Sequence, residues 1–291
     1  VQGPAAAYLD GGARLHLQHG PIDLIIGAEG ADAPARQAAF AAAVERFETI
    51  LPGLVAELPV LRSPLQAEAP ELQDPVARRM AAAALPHAAG FATPMIAVAG
   101  AVADAVLAAM CRAVPLQRAY VNNGGDIALF LAAGEVFSVA MAEQAGADLG
   151  RIRVCAGDGI GGIATSGAGG RSFSLGIADS VTVLAHSAAA ADAAATLIAN
   201  AVDLPGHPGV QRRPACELSP DSDLGARLVV THVPLLAPED CRRAISAGQA
   251  VAQSMLKRGL IKGAALFLRG AQAALGQAVP QISNRKELHH A

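Results

Sequence analysis

Gly159-Ile-Gly-Gly-Ile-Ala-Thr-Ser-Gly-Ala-Gly-Gly-Arg171 leads into Ile177-Ala-Asp-Ser-Val-Thr-Val-Leu-Ala-His186, and then into an alanine-rich stretch from Ser187 to Val202. In order these are a glycine-rich loop, a strand and a small-residue helix. Gly161, Gly162, Gly167, Gly169 and Gly170 let the backbone approach a ligand more closely than a Cβ permits, which suits a phosphate or ribose. The β-branched run Val181, Thr182 and Val183 reads as strand, and Ser187 is placed to cap the helix behind it. On that helix Asp192 and Thr196 stand at i and i+4, about 6 Å apart on one face. A carboxylate and a hydroxyl so placed can share a hard cation. The same pair fits an alanine-rich packing helix with two incidental polar residues, and spacing alone leaves both readings open.

Outward from this stretch, a chain of 291 residues can bury a sizeable core as one large domain or two small ones. Cys111, Cys155, Cys216 and Cys241 show neither Cys-x-x-Cys spacing nor a histidine at finger spacing. That speaks against structural zinc and for reduced thiols in a cytoplasmic setting. The most apolar run, Phe91 to Ala103, ends at Asp104 and is too short to span a bilayer. No signal peptide is evident in a chain that starts at Val1. A net charge of −3 and 3% aromatic residues supply neither a basic footprint nor stacking platforms, so neither nucleic acid nor membrane is an expected partner.

Arg14 to His19, the turn Gly20-Pro21 and Ile22 to Ile26 read as an N-terminal β-hairpin. Pro34 to Glu57 has Phe40, Val44, Phe47 and Leu51 at helical spacing, with Pro52 marking a kink or break. Pro59 to Pro75 reads as irregular. Asp74-Pro75 starts a helix over Val76 to Leu85, and Thr93-Pro94 opens another over Met95 to Met110. A short strand at Tyr120-Val121 enters the turn Asn122-Asn-Gly-Gly-Asp126. Ile127 to Leu131 and Val136 to Met141 read as a hairpin, and Arg151 to Cys155 and Ile160 to Ala164 as further strands. Asp203 to Asp223, rich in Pro, Gly, Arg and Asp, reads as a surface excursion or lid. Arg227 to His232 is a strand, Pro238 to Met255 a helix and Leu260 to Leu268 the closing strand. Hairpins separated by helices favour an α+β fold with mainly antiparallel sheets.

Ala97-Val-Ala-Gly-Ala-Val-Ala-Asp104, Val121-Asn-Asn-Gly-Gly-Asp126, Ala164-Thr-Ser-Gly167 and Asp192-Ala-Ala-Ala-Thr196 resemble, in order and spacing, the ApbE family of FAD:protein FMN transferases. Gly20-Pro-Ile-Asp23, Thr93-Pro-Met95, Tyr120 to Ala128 and Ala178 to Val183 are similar to an uncharacterised ApbE-like branch over most of the chain. The resemblance implies a single two-lobed domain over residues 1–291, an excursion at 203–225, and a central cleft for FAD or FMN. It implies Mg²⁺ on Asp192 and Thr196, and flavin contacts from Gly124, Gly125, Asp126, Gly161, Gly162, Thr165, Ser166, Gly167 and Arg171. The implied activity is Mg²⁺-dependent flavin-nucleotide pyrophosphate transfer or hydrolysis, with a target protein as partner; the sequence leaves open whether the chain forms a homo-oligomer. Two departures bear on this. Ala99 stands where the transferases carry a lysine, and Phe173-Ser-Leu-Gly-Ile-Ala-Asp179 replaces their His-Ile-Ile-Asp-Pro segment. These departures support an alternative: a binding protein of the same fold for flavin, a pterin or another anionic cofactor.

Single residues have ordinary readings too. Asp126 fits a turn as well as a cleft. Asp179 at a strand start fits satisfaction by backbone donors. Asp23 in an apolar strand needs an arginine partner or a cleft. His186 fits a structural hydrogen-bonder, Arg171 an anion fork or a solvated surface, and Arg212-Arg213 a solvated loop.

Overall fold

The computed structural model describes residues 3–142, 148–170 and 172–276. The chain opens with strands β1 (Ala5–Leu9), β2 (Arg14–His19) and β3 (Ile22–Gly30), then helices α1 (Ala33–Ala56), α2 (Leu58–Leu61) and α3 (Pro75–Ala84). A 3-10 turn at Pro94–Ala97 enters α4 (Val98–Ala113), which precedes β4 (Leu116–Asn123), β5 (Asp126–Leu131), β6 (Val136–Ala142), β7 (Asp148–Cys155), β8 (Gly162–Ser166) and β9 (Ser180–Ala185). After α5 (Ala188–Ala201) come β10 (Gln211–Pro214), α6 (Ala215–Leu218), β11 (Leu228–His232), α7 (Pro238–Lys257), β12 (Gly263–Leu268) and β13 (Ala271–Gly276).

Nine strands form one sheet in the order β1-β2-β3-β4-β5-β8-β9-β12-β13, and every neighbouring pair is antiparallel. The fold is α+β. Alternation along the strands sends one set of side chains to each face. On one face Leu15, Leu17, Leu24, Ile26 and Val121 pack against α1, α3 and α4, and Val181, Val183, Ala264 and Leu266 pack against α5 and α7. On the other face Leu129, Ile163, Leu184, Ala265 and Phe267 are covered by Ile152 and Val154 of the β6–β7 ribbon. Phe40 and Phe47, one helical face of α1, are fully buried, a contribution of about 1.5–3 kcal/mol each.

Several boundaries differ from the sequence reading, each for a physical reason. Pro52 lies inside α1, which runs unbroken to Ala56. It sits on the exposed side of the helix with Glu48 one turn earlier, so the carbonyl that loses its N–H partner is solvated. β5 and β6 do not pair with each other. β5 lies between β4 and β8, whereas β6 pairs with β7 and crosses to the other face, because alternation marks a strand without naming its partner. Among the described residues the last strand is β13, reached from β12 through Arg269-Gly270, both at positive φ. Asp23 pairs with His16 across the hairpin, Oδ1 to Nε2 3.2 Å, and not with an arginine.

The excursion after α5 carries its own two-stranded sheet, β10–β11. It is tied down by Val230 N–H to the Ser174 carbonyl, by Arg212, which binds Asp203 and the Leu175 carbonyl, and by Thr93 Oγ1 to Asp223. Arg212 is therefore engaged, not solvated. By length and composition the helical stretch Pro94–Ala113 could cross a bilayer, yet Val102, Val106 and Met110 are wholly buried in the core. The four cysteines are free thiols.

Candidate functional site

Two helix N-termini meet at the end of the β4–β5 hairpin, and each is capped by an aspartate from the other helix. Asp104, on α4, accepts the N–H groups of Ala188 and Ala189 at 3.0 Å each, one per oxygen. Asp192, on α5, accepts the Gly100 N–H at 3.0 Å and also the Ala99 N–H. Ser187 caps Ala190 at 3.2 Å. The first N–H groups of both helices, normally left over, are thus satisfied by protein. The helices approach this closely because Gly100 has no side chain, since a Cβ there would overlap the Ala188 carbonyl and the Ala189 nitrogen.

The β4–β5 turn places the third acid. Gly124 and Gly125 both have positive φ, 66° and 113°, in a two-residue loop between the paired Asn123 and Asp126. That is a type I′ hairpin turn, where Asn-Gly-Gly is favoured. Asn122 Oδ1 accepts the Gly125 N–H at 2.8 Å. Buried Asn123 donates to the Ala99 carbonyl at 3.1 Å, locking the hairpin to the start of α4. Asp126 follows, close enough that its charge acts on Asp192.

Burial first, then the charge of Asp126 and more weakly that of Asp104, hold the Asp192 carboxyl well above the usual carboxylate range. The two backbone donors pull the other way and do not win. Asp104 is also raised by burial, opposed by its two N–H partners and by the charges of Arg79 and His186. Thr196 lies one turn along α5 and partly buried. Among the described residues no side-chain hydrogen bond engages its hydroxyl.

The remaining expected site residues fall in other surroundings. Gly161 and Gly162 lie in backbone contact with the start of α5, so that a Cβ on them would overlap His186 and Ala188 respectively, and a Cβ on Gly167 would meet the Asp179 carbonyl. At these three positions close chain packing occupies the space. Thr165 bonds Thr182 at 3.0 Å. It alternates with Ala164 of the helix-side core and so lies on the sheet face opposite α5, whereas Ser166 lies on the α5 side. Gly169 and Gly170 are exposed, and Arg171 lies outside the described residues. Asp179 receives the Arg269 backbone N–H, the ordinary reading of a strand-start acid. Asp104 and Asn123 were missed as organisers of the site. Asp104 could have been found as the lone acid in an apolar helix, since a buried carboxylate needs donors.

Among the described residues no group of three His, Cys, Asp or Glu side chains is arranged to hold a metal. The oxygen donors here are Asp192, Thr196 and Asp126. That set fits Mg²⁺, which binds through one or two carboxylates and completes its shell with water and phosphate oxygens. It does not fit a soft transition metal.

The fold and this oxygen-lined meeting of helix ends define an α+β protein with an acidic site at a hairpin turn. A family model described as "AbpE bacteria" matches residues 6–276, and the chain belongs to that family. A UPF0280 protein from Methanosarcina barkeri is 34% identical over 137 residues, covering 47% of this chain and 53% of that relative. Another, from Methanocella arvoryzae, is 36% identical over 161 residues, covering 55% and 64%. The match thus spans less than two thirds of these relatives' length. The ApbE protein of Thermotoga maritima shares the fold at TM-score 0.51 and 12% identity, over 94% of this chain and 96% of that one.

Proposed function

We propose that the chain is a Mg²⁺-dependent flavin-nucleotide protein of the ApbE type, acting on the pyrophosphate of FAD as transferase or hydrolase. The observation that carries this reading is Asp192. Its carboxyl is pushed towards protonation by burial and by Asp126, and a divalent cation would relieve the same repulsion. Asp192 and Thr196 would hold the ion, with Asp126 beside them, and a bound Mg²⁺ would neutralise charge on the phosphate oxygens. The residues of the chain do the positioning. The Ala99 and Gly100 N–H groups hold the Asp192 carboxyl, the Asn123 bond to Ala99 keeps the β4–β5 turn against α4, and the turn, open where a Cβ on Gly125 would stand, leaves room for a ligand beside Asp126. Gly161, Gly162, Ser166 and Gly167 shape the floor under α5 in this reading.

Position 99 favours a second reading. An alanine stands there, so no ammonium reaches the site from that turn, and a flavin-binding protein without transfer chemistry follows. One experiment separates the two. The full chain is incubated with FAD and Mg²⁺, bound flavin is followed by absorbance, and AMP release by chromatography. AMP release that requires Mg²⁺ and is lost in Asp192→Asn supports the first reading. Flavin retention without AMP supports the second, and neither retention nor release at millimolar FAD removes both.

A further inference from the structure

A cavity of about 270 Å³ opens on the outer side of the α5 N-terminus, between α3, the turn after it and the loop before β12. It is separate from the Asp192 side chain, which points towards α4. Arg79, His87, His186 and Ser187 supply its polar groups, and Ala83 and Leu260 part of its apolar wall. No carboxylate is among its lining residues. Arg79 makes no ion pair within 4 Å among the described residues. The acid that feels its charge, Asp104, already spends both oxygens on Ala188 and Ala189. Arg258 adds a second guanidinium at the rim, anchored on the Pro86 carbonyl at 2.7 Å.

Such a lining is unbalanced. One guanidinium, two imidazoles and a serine hydroxyl converge on a concave space, and a second guanidinium stands beside it. The Ser187 oxygen accepts the Ala190 N–H, which leaves its O–H proton to donate outward. Burial first, and then the charge of Arg258, hold His87 below its ordinary pKa, so the positive potential comes from Arg79 and Arg258, with no carboxylate in the lining to balance it. The N–H groups of α5 contribute no free donors here, because Asp104 and Ser187 take them. The recognition therefore rests on the side chains.

We infer that this cavity is a second binding site, for a small phosphate-bearing anion held by Arg79, His186 and Ser187 with His87 at its wall. A planar guanidinium matches a phosphate edge with two parallel N–H bonds, and the apolar wall of Ala83 and Leu260 leaves space for a short organic substituent. This site goes beyond the flavin reading and needs no metal.

The test uses the full chain in metal-free, low-salt buffer titrated with inorganic phosphate, by calorimetry and by the proton resonances of the histidine rings. Saturable binding that shifts two ring resonances, both identified by loss in His87→Gln and His186→Gln, is expected. Arg79→Gln is expected to weaken binding about tenfold or more, and as Arg79 is exposed the variant keeps the fold. Asp192→Asn is expected to bind phosphate as the wild type does, so failure of the flavin reading leaves this result unchanged. No saturation at tens of millimolar phosphate, or equal affinity in wild type and Arg79→Gln, would overturn the site.

Discussion

Substitution can separate the cap that Asp192 gives α4 from the metal role proposed for Asp192 and Thr196. In Asp192→Asn an amide oxygen still accepts the Gly100 N–H, so α4 keeps a cap while the charge is gone. Mg²⁺ affinity is expected to fall by at least about tenfold, and in Thr196→Ala by less, since a neutral ligand contributes less than the main charge. Calorimetric titration with Mg²⁺ and FAD checks the order, and equal affinities in all three proteins would remove both residues from the site. The pH dependence follows from the same carboxyl. Its folded pKa is raised, so between the ordinary carboxylate pKa of about 4 and the raised value the native state binds more protons than the unfolded one. Stability from this group is therefore greatest at low pH and falls as pH rises through that window. Thermal unfolding of metal-free wild type and Asp192→Asn across pH should show the wild type losing ground relative to the variant as pH rises. Added Mg²⁺ should narrow the difference above the window.

At the scale of elements, the α4–α5 pair is held by reciprocal capping as well as by its packed alanine faces. Asp104→Ala strands the Ala188 and Ala189 N–H groups in a buried place and is expected to cost about 1–3 kcal/mol, after allowing for the relief of a desolvated carboxylate. Asp104→Asn should rescue only part of this, because its amide nitrogen faces one of the two donors. Denaturant unfolding of the three proteins measures the series, and full rescue by asparagine would show that one cap bond suffices. Gly100→Ala tests the close approach directly. Its Cβ meets backbone of α5 rather than a yielding side chain, so a loss of about 1–3 kcal/mol or more is expected in the same measurement.

At the scale of the whole molecule, the β6–β7 ribbon is a separate cover on the face that the helices leave bare. Ile152, on the inner side of the ribbon, is fully buried against the sheet, and Ile152→Ala is expected to cost about 2–5 kcal/mol in equilibrium unfolding. Loss of near-neutral magnitude would mean that the ribbon packs loosely.

Much of this was legible in the sequence, because the signals are local. Asp74-Pro75 and Ser187 announce their helices through caps, Asn122-Asn-Gly-Gly-Asp126 announces a hairpin through the backbone conformations that its glycines allow, and Asp192 with Thr196 share a face through the helical period alone. The α+β class followed from the alternation of such elements. What the sequence could not decide depends on partners far along the chain. The strand period is the same whether β5 pairs with β6 or with β8, and only the need to cover both sheet faces sends β6 across. The glycines of 159–170 promise close approach without saying to what. The tertiary structure brings Gly161 and Gly162 to the backbone of α5, and Gly100 to the same place from the other side. Asp104 looks like an anomaly in an apolar helix until α5 supplies its two N–H groups from 84 and 85 residues away. A capping or packing residue fixes its own conformation by local sterics, whereas the group it serves is fixed by the burial of a core that no single segment encloses.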